Sequence, residues 1–239
     1  MAANSGDGRD VLTSDELFRR ASGMVPVLKS RAALTEELRC IPDETVQDFK
    51  SAGLNRIEVP NRFGGLDVDH NLVYEIGAEL ARGCPSASWC YSVWAANAAM
   101  VGYWPLQAQE EVYTGGADVL CSSSLGPGTS KTEPVSGGFR LTGRWEFSSG
   151  CDSSGWLILG ASGIGERTWA LVPRKDYEIV DTWFVSGLRG TGSKDIVVDD
   201  AFVPFHRVLN VVTAGDGDWT GWEIHQQPCY RVPIPVILG

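Results

Sequence analysis

Along residues 139–151, FRLTGRWEFSSGC, apolar and polar positions alternate. Phe139, Leu141, Trp145 and Phe147 stand at odd positions, and Arg140, Thr142, Arg144, Glu146 and Ser148 at even ones. A period of two marks a strand with one buried face. The run closes on Ser148-Ser149-Gly150, where glycine allows the chain to turn beside two hydroxyls. That end reads either as an ordinary turn or as a strand terminus offering hydroxyl and backbone N–H groups to a ligand.

Upstream the period is helical. Leu17, Ala21, Met24, Val25 and Leu28 follow Ser14-Asp15-Glu16, which predicts a helix capped by Ser14 with acids at its positive end. A second helix is expected over 42–52, with Val46 and Phe49 on one side and Gly53 as its stop. Pro60 and Gly64-Gly65 mark an ordered loop, and Leu72, Ile76 and Leu80 form one stripe over 71–82. Residues 87–101 are apolar nearly all round, so that helix is expected to be buried on every side. Its most polar member, Asn97, is either a satisfied core amide or a group facing a ligand cavity. Pro105 opens a short polar helix that ends at a glycine pair.

After Gly116 the pattern changes to short β-prone runs at 119–122, 139–147, 156–161, 168–172, 177–180 and 196–198. Gly, Pro, Asp and Ser clusters separate them. The fold class expected is α+β, an all-helical N-terminal domain followed by a β-barrel or sandwich. The chain closes on RVPIPVILG, and an apolar terminus predicts further protein over Val236, Ile237 and Leu238.

Composition narrows the function classes. A length of 239 residues with 43% hydrophobic side chains permits two domains with sizeable cores. The net charge of −10 argues against a nucleic acid or an anionic membrane held by bulk electrostatics. With no signal-peptide pattern and no apolar run of about 18 residues, a soluble, cytoplasmic protein is expected. The six cysteines form no CxxC pair and the three histidines show no ligand spacing, so no metal site is expected and the cysteines read as reduced core residues. The cluster GLRGTGSK has Ser193 and Lys194 in the wrong order for a P-loop and leads into a strand; GASGIG joins two β runs as a hairpin loop. Neither GxSxG nor HExxH occurs.

The order and spacing of four segments carry a resemblance. After a helical first half come PNRFGG, CSSSLGPG, GRWEFSSGCDSSGW and WFVSGLRGTGSKDIVVDDAFVP. Together they resemble the acyl-CoA dehydrogenase fold superfamily, and within it the flavin-dependent monooxygenase branch, the oxygenase components of two-component systems such as 4-hydroxyphenylacetate 3-hydroxylase. The resemblance implies a helical domain over 1–117, a central β-domain over 118–212, and a linker over 213–239 leading to a C-terminal helical bundle that this chain lacks. It implies reduced FMN or FAD delivered by a separate flavin reductase, and a C4a-hydroperoxide formed with O2 that hydroxylates or oxidises a small organic substrate. A homo-oligomer, or a partner that supplies the bundle, is implied as well.

The same resemblance assigns residues. Ser148 would bond flavin N5, with Ser149 and the backbone of Phe147 along the isoalloxazine. Cys121 and Ser122 would line the cofactor, and Ser123 would reach the substrate pocket. Asn97 falls where phenol hydroxylases of the branch carry a histidine; an amide orients a substrate but cannot take its proton. Trp183, with Trp89, Trp94 and Trp145, would wall a dry pocket or simply pack the core. Arg189 and Lys194 would meet the flavin phosphate or a neighbouring subunit, or stay solvated, and Glu146 is placed to pair with Arg144. Two other readings stay open: an acyl-CoA dehydrogenase-type flavoprotein, and an incomplete half that needs a partner.

Overall fold

The computed structural model describes residues 12–66, 68–165, 167–211 and 220–231. The helices come first: α1 (Ser14–Leu38), α2 (Asp43–Ala52), α3 (Leu72–Ala81), α4 (Pro85–Val101) and α5 (Leu106–Val112). Strands follow as β1 (Cys121–Ser124), β2 (Lys131–Val135), β3 (Gly138–Ser148), β4 (Trp156–Ala161), β5 (Thr168–Pro173), β6 (Glu178–Val180), β7 (Lys194–Pro204) and β8 (Val208–Asn210). A short helix, α6 (Thr220–Ile224), comes after them.

The helical periodicity is realised with two corrections. The cap of α1 is Thr13, whose hydroxyl accepts from the Glu16 N–H at 3.3 Å. A cap needs extended dihedrals, which Thr13 has, whereas Ser14 is already helical. In α4, Trp89 is 52% exposed, so that helix is not buried on every side. An apolar sequence carries no polar face to mark which side is left open. The stop at Gly53 is as expected, with φ 78° and its N–H bonded to the Lys50 and Phe49 carbonyls.

Among the described residues two four-stranded sheets form, in the orders β1-β4-β5-β8 and β2-β3-β7-β6. Pairing is antiparallel except for β1 with β4. Leu141 and Trp145 of β3, Ile196 and Val198 of β7, Leu157 and Leu159 of β4, and Ala170 and Val172 of β5 share one core, which makes the pair of sheets a sandwich. The opposite side chains of β4 and β5, Ile158 and Leu171, join Met100, Val101 and Tyr113 from the helical region. Buried on both faces, β4 and β5 read as continuous apolar runs and not as alternation. Strands β2 and β8 went unread: β2 is a mostly exposed edge with Pro134 inside it, and β8 has three residues.

All six cysteines are free. Among the described residues no helix is long and apolar enough to cross a membrane. Val236, Ile237 and Leu238, expected to need cover, lie outside the described residues.

Residues 225–230 fold back onto the helices. Tyr103 donates to the Cys229 carbonyl at 2.9 Å, and His225 meets Gln109 Oε1 at 2.7 Å. The Gln109 amide already donates to the Gly102 and Trp104 carbonyls, so its oxygen accepts and His225 Nε2 donates. His225 is 4% exposed. Burial, with Arg62 adding to it, pushes the imidazole down to about 4.

A folded-state value below that of the unfolded chain means that the unfolded chain takes up the proton first. Melting temperature is therefore expected to fall as pH drops from about 6.5 to about 4. His225→Gln should flatten that part of the profile. An equally steep profile in the variant would remove His225 as its source.

Candidate active site

The alternation along β3 holds through Trp145 and then breaks. Trp145 pairs with Ile196, yet the next pair is Ser148 with Lys194, so β3 carries one extra residue there. Phe147 takes up the slack in the left-handed region at φ 64°, and its ring turns outward, 65% exposed. A bulky residue held there costs roughly 1–3 kcal/mol and points to a functional constraint. The bulge exchanges the faces. Ser148, on the polar face of the pattern, is 0% exposed, and among the described residues its Oγ has no hydrogen-bond partner. Such an orphan calls for a missing partner at the site.

Gly150 fixes the turn that follows. It sits at φ 70°, and a Cβ there would lie 2.6 Å from Trp94 Nε1 of α4. Its N–H donates to the Thr191 carbonyl at 2.9 Å; its carbonyl accepts from Trp94 Nε1 at 3.3 Å and Ser154 Oγ at 3.1 Å. Helix α4, the end of β3 and the segment before β7 therefore meet at one glycine.

Hydroxyls gather around this junction. Trp89 Nε1 donates to Ser149 Oγ at 3.0 Å, Ser149 Oγ lies 2.7 Å from Ser193 Oγ, and Ser193 Oγ lies 2.7 Å from Thr191 Oγ1. Thr191 Oγ1 donates to the Leu188 carbonyl at 3.0 Å, which also receives Trp183 Nε1 at 3.2 Å. Trp183 stands edge-on to Phe147 with ring centroids 6.1 Å apart. The last turn of α1 and its cap hold this segment from behind. Glu36 accepts from the Arg189 and Gly190 N–H groups and from Ser86, while Arg39 pairs with Asp181, donates to the Trp183 carbonyl and lies over the Phe184 ring. Burial opposes charge on Glu36, but the hydrogen bonds from Ser86, Gly190 and Arg189 outweigh it and hold the carboxyl below its ordinary range.

The remaining expected residues are distributed unevenly. Asn97 is buried and its amide donates to the Cys121 carbonyl at 3.0 Å, so α4 is tied to β1. Cys121 and Ser122 are buried too, the latter bonded to Ser154 Oγ at 2.7 Å, while Ser123 is half-buried. The Arg189 side chain is exposed, and only its backbone N–H is engaged by Glu36. Lys194 pairs with Asp152 at 2.7 Å. Two placements are corrected. Arg144 pairs with Asp195 at 2.6 Å and not with Glu146, because Asp195 lies on the adjacent strand. Trp145 is sandwich core, donating to the Gly160 carbonyl, and is no pocket wall.

The sequence pattern gives Thr191, Ser193 and Glu36 no place in the site. The first two lie inside the GTGS motif, whereas nothing local marks Glu36. A cavity of about 860 Å³ lies elsewhere, along β3 and β7, but its Arg140 and Arg144 are paired with Asp200 and Asp195. The strand end, which carries the unpaired Ser148 hydroxyl between exposed Phe147 and the Ser149 that Trp89 reaches, is the stronger candidate.

Known proteins resemble this chain along most of its length. The chain is 37% identical over 221 residues, 90% of its length, to the oxygenase subunit HsaA of a flavin-dependent monooxygenase from Rhodococcus jostii, covering 58% of that protein. The crystal structure of 3-HSA hydroxylase from Rhodococcus sp. RHA1 superposes with a TM-score of 0.88 at 36% identity, over 93% of this chain and 58% of that one. XiaF from Streptomyces sp., solved with FADH2 and glycerol, gives 0.83 at 28% identity, over 94% and 58%. No family model matches. The fold is that of the acyl-CoA dehydrogenase superfamily. Within it the chain is similar to the oxygenase components of flavin-dependent monooxygenases, and it spans 58% of the length of the HsaA relative.

Two substitutions test the local reading by thermal or denaturant unfolding. Ser148→Ala removes an unsatisfied buried hydroxyl and should stabilise the unliganded chain by about 1 kcal/mol. Gly150→Ala meets both Trp94 and a left-handed backbone, and should destabilise by about 2 kcal/mol or more. A destabilised Ser148→Ala would show that the hydroxyl is already satisfied.

Proposed function

We propose that this chain serves as flavin-binding oxygenase component in a two-component monooxygenase, with a separate reductase providing reduced FMN or FAD. The observation that carries the proposal is the orphaned Ser148 hydroxyl at a strained strand end. The residues present fit an isoalloxazine: an unpaired hydroxyl for a ring nitrogen, and the Phe147 and Trp183 rings for its apolar edge. Reduced flavin, when bound, supplies the activation of O2.

The chain's own residues bind, orient and exclude water. Ser148 Oγ holds the cofactor at one ring position, with Ser149 beside it. Phe147, Trp183 and Trp89 shield the reacting edge from bulk water. Asn97 and Ser123, on α4 and β1, orient a small organic substrate, aromatic in keeping with the relatives. Because the Asn97 amide is engaged at the Cys121 carbonyl and cannot accept a proton as imidazole does, it is a positioning group and not a base. Cys121 and Ser122 set the backbone of β1 beneath this space, and Arg189, the nearby exposed cation, is the candidate for a flavin phosphate. A homo-oligomer or a partner polypeptide is part of this proposal, alongside the flavin reductase.

Anaerobic titration with reduced FMN and FAD, followed by quenching of tryptophan fluorescence, should give saturable binding of at least one of them. Ser148→Ala should weaken that binding about three- to tenfold while stabilising the unliganded chain. Absence of binding by both flavins would overturn the proposal.

A further inference from the structure

Residues 57–58, residues 68–70 just before α3, and the folded-back residues 227–229 surround a cavity of about 410 Å³. Small-molecule sites are of that size, roughly 300–1,000 Å³. Gln227 Oε1 accepts from the Asn61 N–H at 3.2 Å, which ties the folded-back segment to the loop before α3. None of the lining residues belongs to the strand-end site.

Glu58 sets this cavity apart. It lines the space yet is only 5% exposed, and a carboxylate is rarely buried so far without partners for both oxygens. His70 Nδ1 lies 2.9 Å from Glu58 Oε1, an ion pair whose geometry leaves the nitrogen without a hydrogen bond. Among the described residues this is the one pairing Glu58 makes, and it leaves the second oxygen to the cavity. Two phenols add to the picture. The hydroxyls of Tyr91, 1% exposed, and Tyr230, 0% exposed, have no hydrogen-bond partner among the described residues. Burial raises the pKa of both, and the Glu58 charge adds to it, so two neutral orphaned hydroxyls stand within reach of that charge. A buried carboxylate oxygen and unpaired hydroxyls around one cavity call for a missing partner.

The lining decides the sign of that partner. Glu58 and Asp69 each bring a carboxylate, His70 brings at most one positive charge, and among the described residues no Lys or Arg lines the cavity. Burial first, and the Glu58 charge second, push the Cys229 thiol up to about 12, so it stays neutral. At neutral pH the lining therefore keeps at least one negative charge. Among the described residues no group of three or more His, Cys, Asp or Glu could hold a metal ion, whereas buried Ile57 and half-buried Val68 offer an apolar wall. We propose that the cavity binds a small organic cation, a primary ammonium on a short hydrocarbon chain, with Glu58 as its counter-charge and Ile57 and Val68 against the hydrocarbon.

Calorimetric titration of the 239-residue chain with n-butylammonium chloride tests this, with sodium butyrate and potassium chloride as matched controls. n-Butylammonium should bind saturably at one site, and butyrate and potassium should not. Glu58→Gln keeps the shape and removes the charge, and should weaken binding about tenfold or more. Val68→Phe fills the space with Glu58 in place and should weaken it similarly. His70→Gln removes the competing cation and should tighten binding about threefold, a gain that damage to the fold does not produce. The three variants act at different points of the lining, so failure of one to fold leaves the others.

No saturable binding of n-butylammonium by the native chain, equal binding of butyrate or potassium, or unchanged affinity in any of the folded variants would overturn the inference. Flavin binding at the strand end is unaffected by either outcome.

Discussion

The candidate site depends on how closely Trp94 approaches the backbone of Gly150. With no Cβ in the way, the α4 indole reaches the carbonyl of the turn, and the glycine N–H is left for Thr191. A side chain there would push α4 away from the strand end and separate the three segments that build the site. This single approach couples helical packing to sheet register. It holds the end of β3 in place just after the bulge, and so helps to hold Ser148 next to Phe147.

The region around it is locally unfavourable in two ways. Phe147 occupies a backbone region that aromatic residues avoid, and Ser148 keeps a buried hydroxyl without a partner. Neither feature improves the fold. Both are tolerated because the sandwich core of Leu141, Trp145, Leu157, Ile196 and their neighbours over-determines the strands on which they sit. Strain and an unmet hydrogen bond beside exposed aromatic rings are what a site leaves when its geometry is set for a ligand and not for the empty chain.

The last turn of α1 and its cap reach the same place from the helical side. Glu36 caps backbone N–H groups of the segment leading to Thr191, and Arg39 holds the Asp181-Trp183-Phe184 stretch. One cation and one anion, from a single helix end, thus set the two flanks of the loop that carries Trp183. The hydroxyls of Ser149, Ser193 and Thr191 lie between those flanks, bonded at one end to an indole that only donates and at the other to a carbonyl that only accepts.

Much of this was legible in the residue pattern. A period of 3.6 revealed the helices and a period of 2 revealed β3, because burial of one face repeats at the spacing of the backbone; most other strands showed as short β-prone runs between turn residues. The run of motifs from PNRFGG to AFVP pointed to the fold class because their order and spacing are distinctive. The short or polar strands β2 and β8 escaped, having no buried face of their own to write a pattern. At the site the sequence marked Ser148, Ser149 and Gly150 but set Ser148 on the wrong face, since a bulge shifts the period without any local signature. The pairing of Arg144 with Asp195, the assignment of Trp145 to the core, and the assembly of Trp89, Ser149, Ser193 and Thr191 were decided by tertiary structure alone. The Ser149–Ser193, Arg144–Asp195 and Trp89–Ser149 contacts join residues 44, 51 and 60 positions apart, and which of several equivalent polar groups meet is set by how the two sheets and α4 pack. By itself, then, the sequence determined which faces are buried and which backbone positions need glycine. Packing decided which hydroxyl was left without a partner and which were bonded.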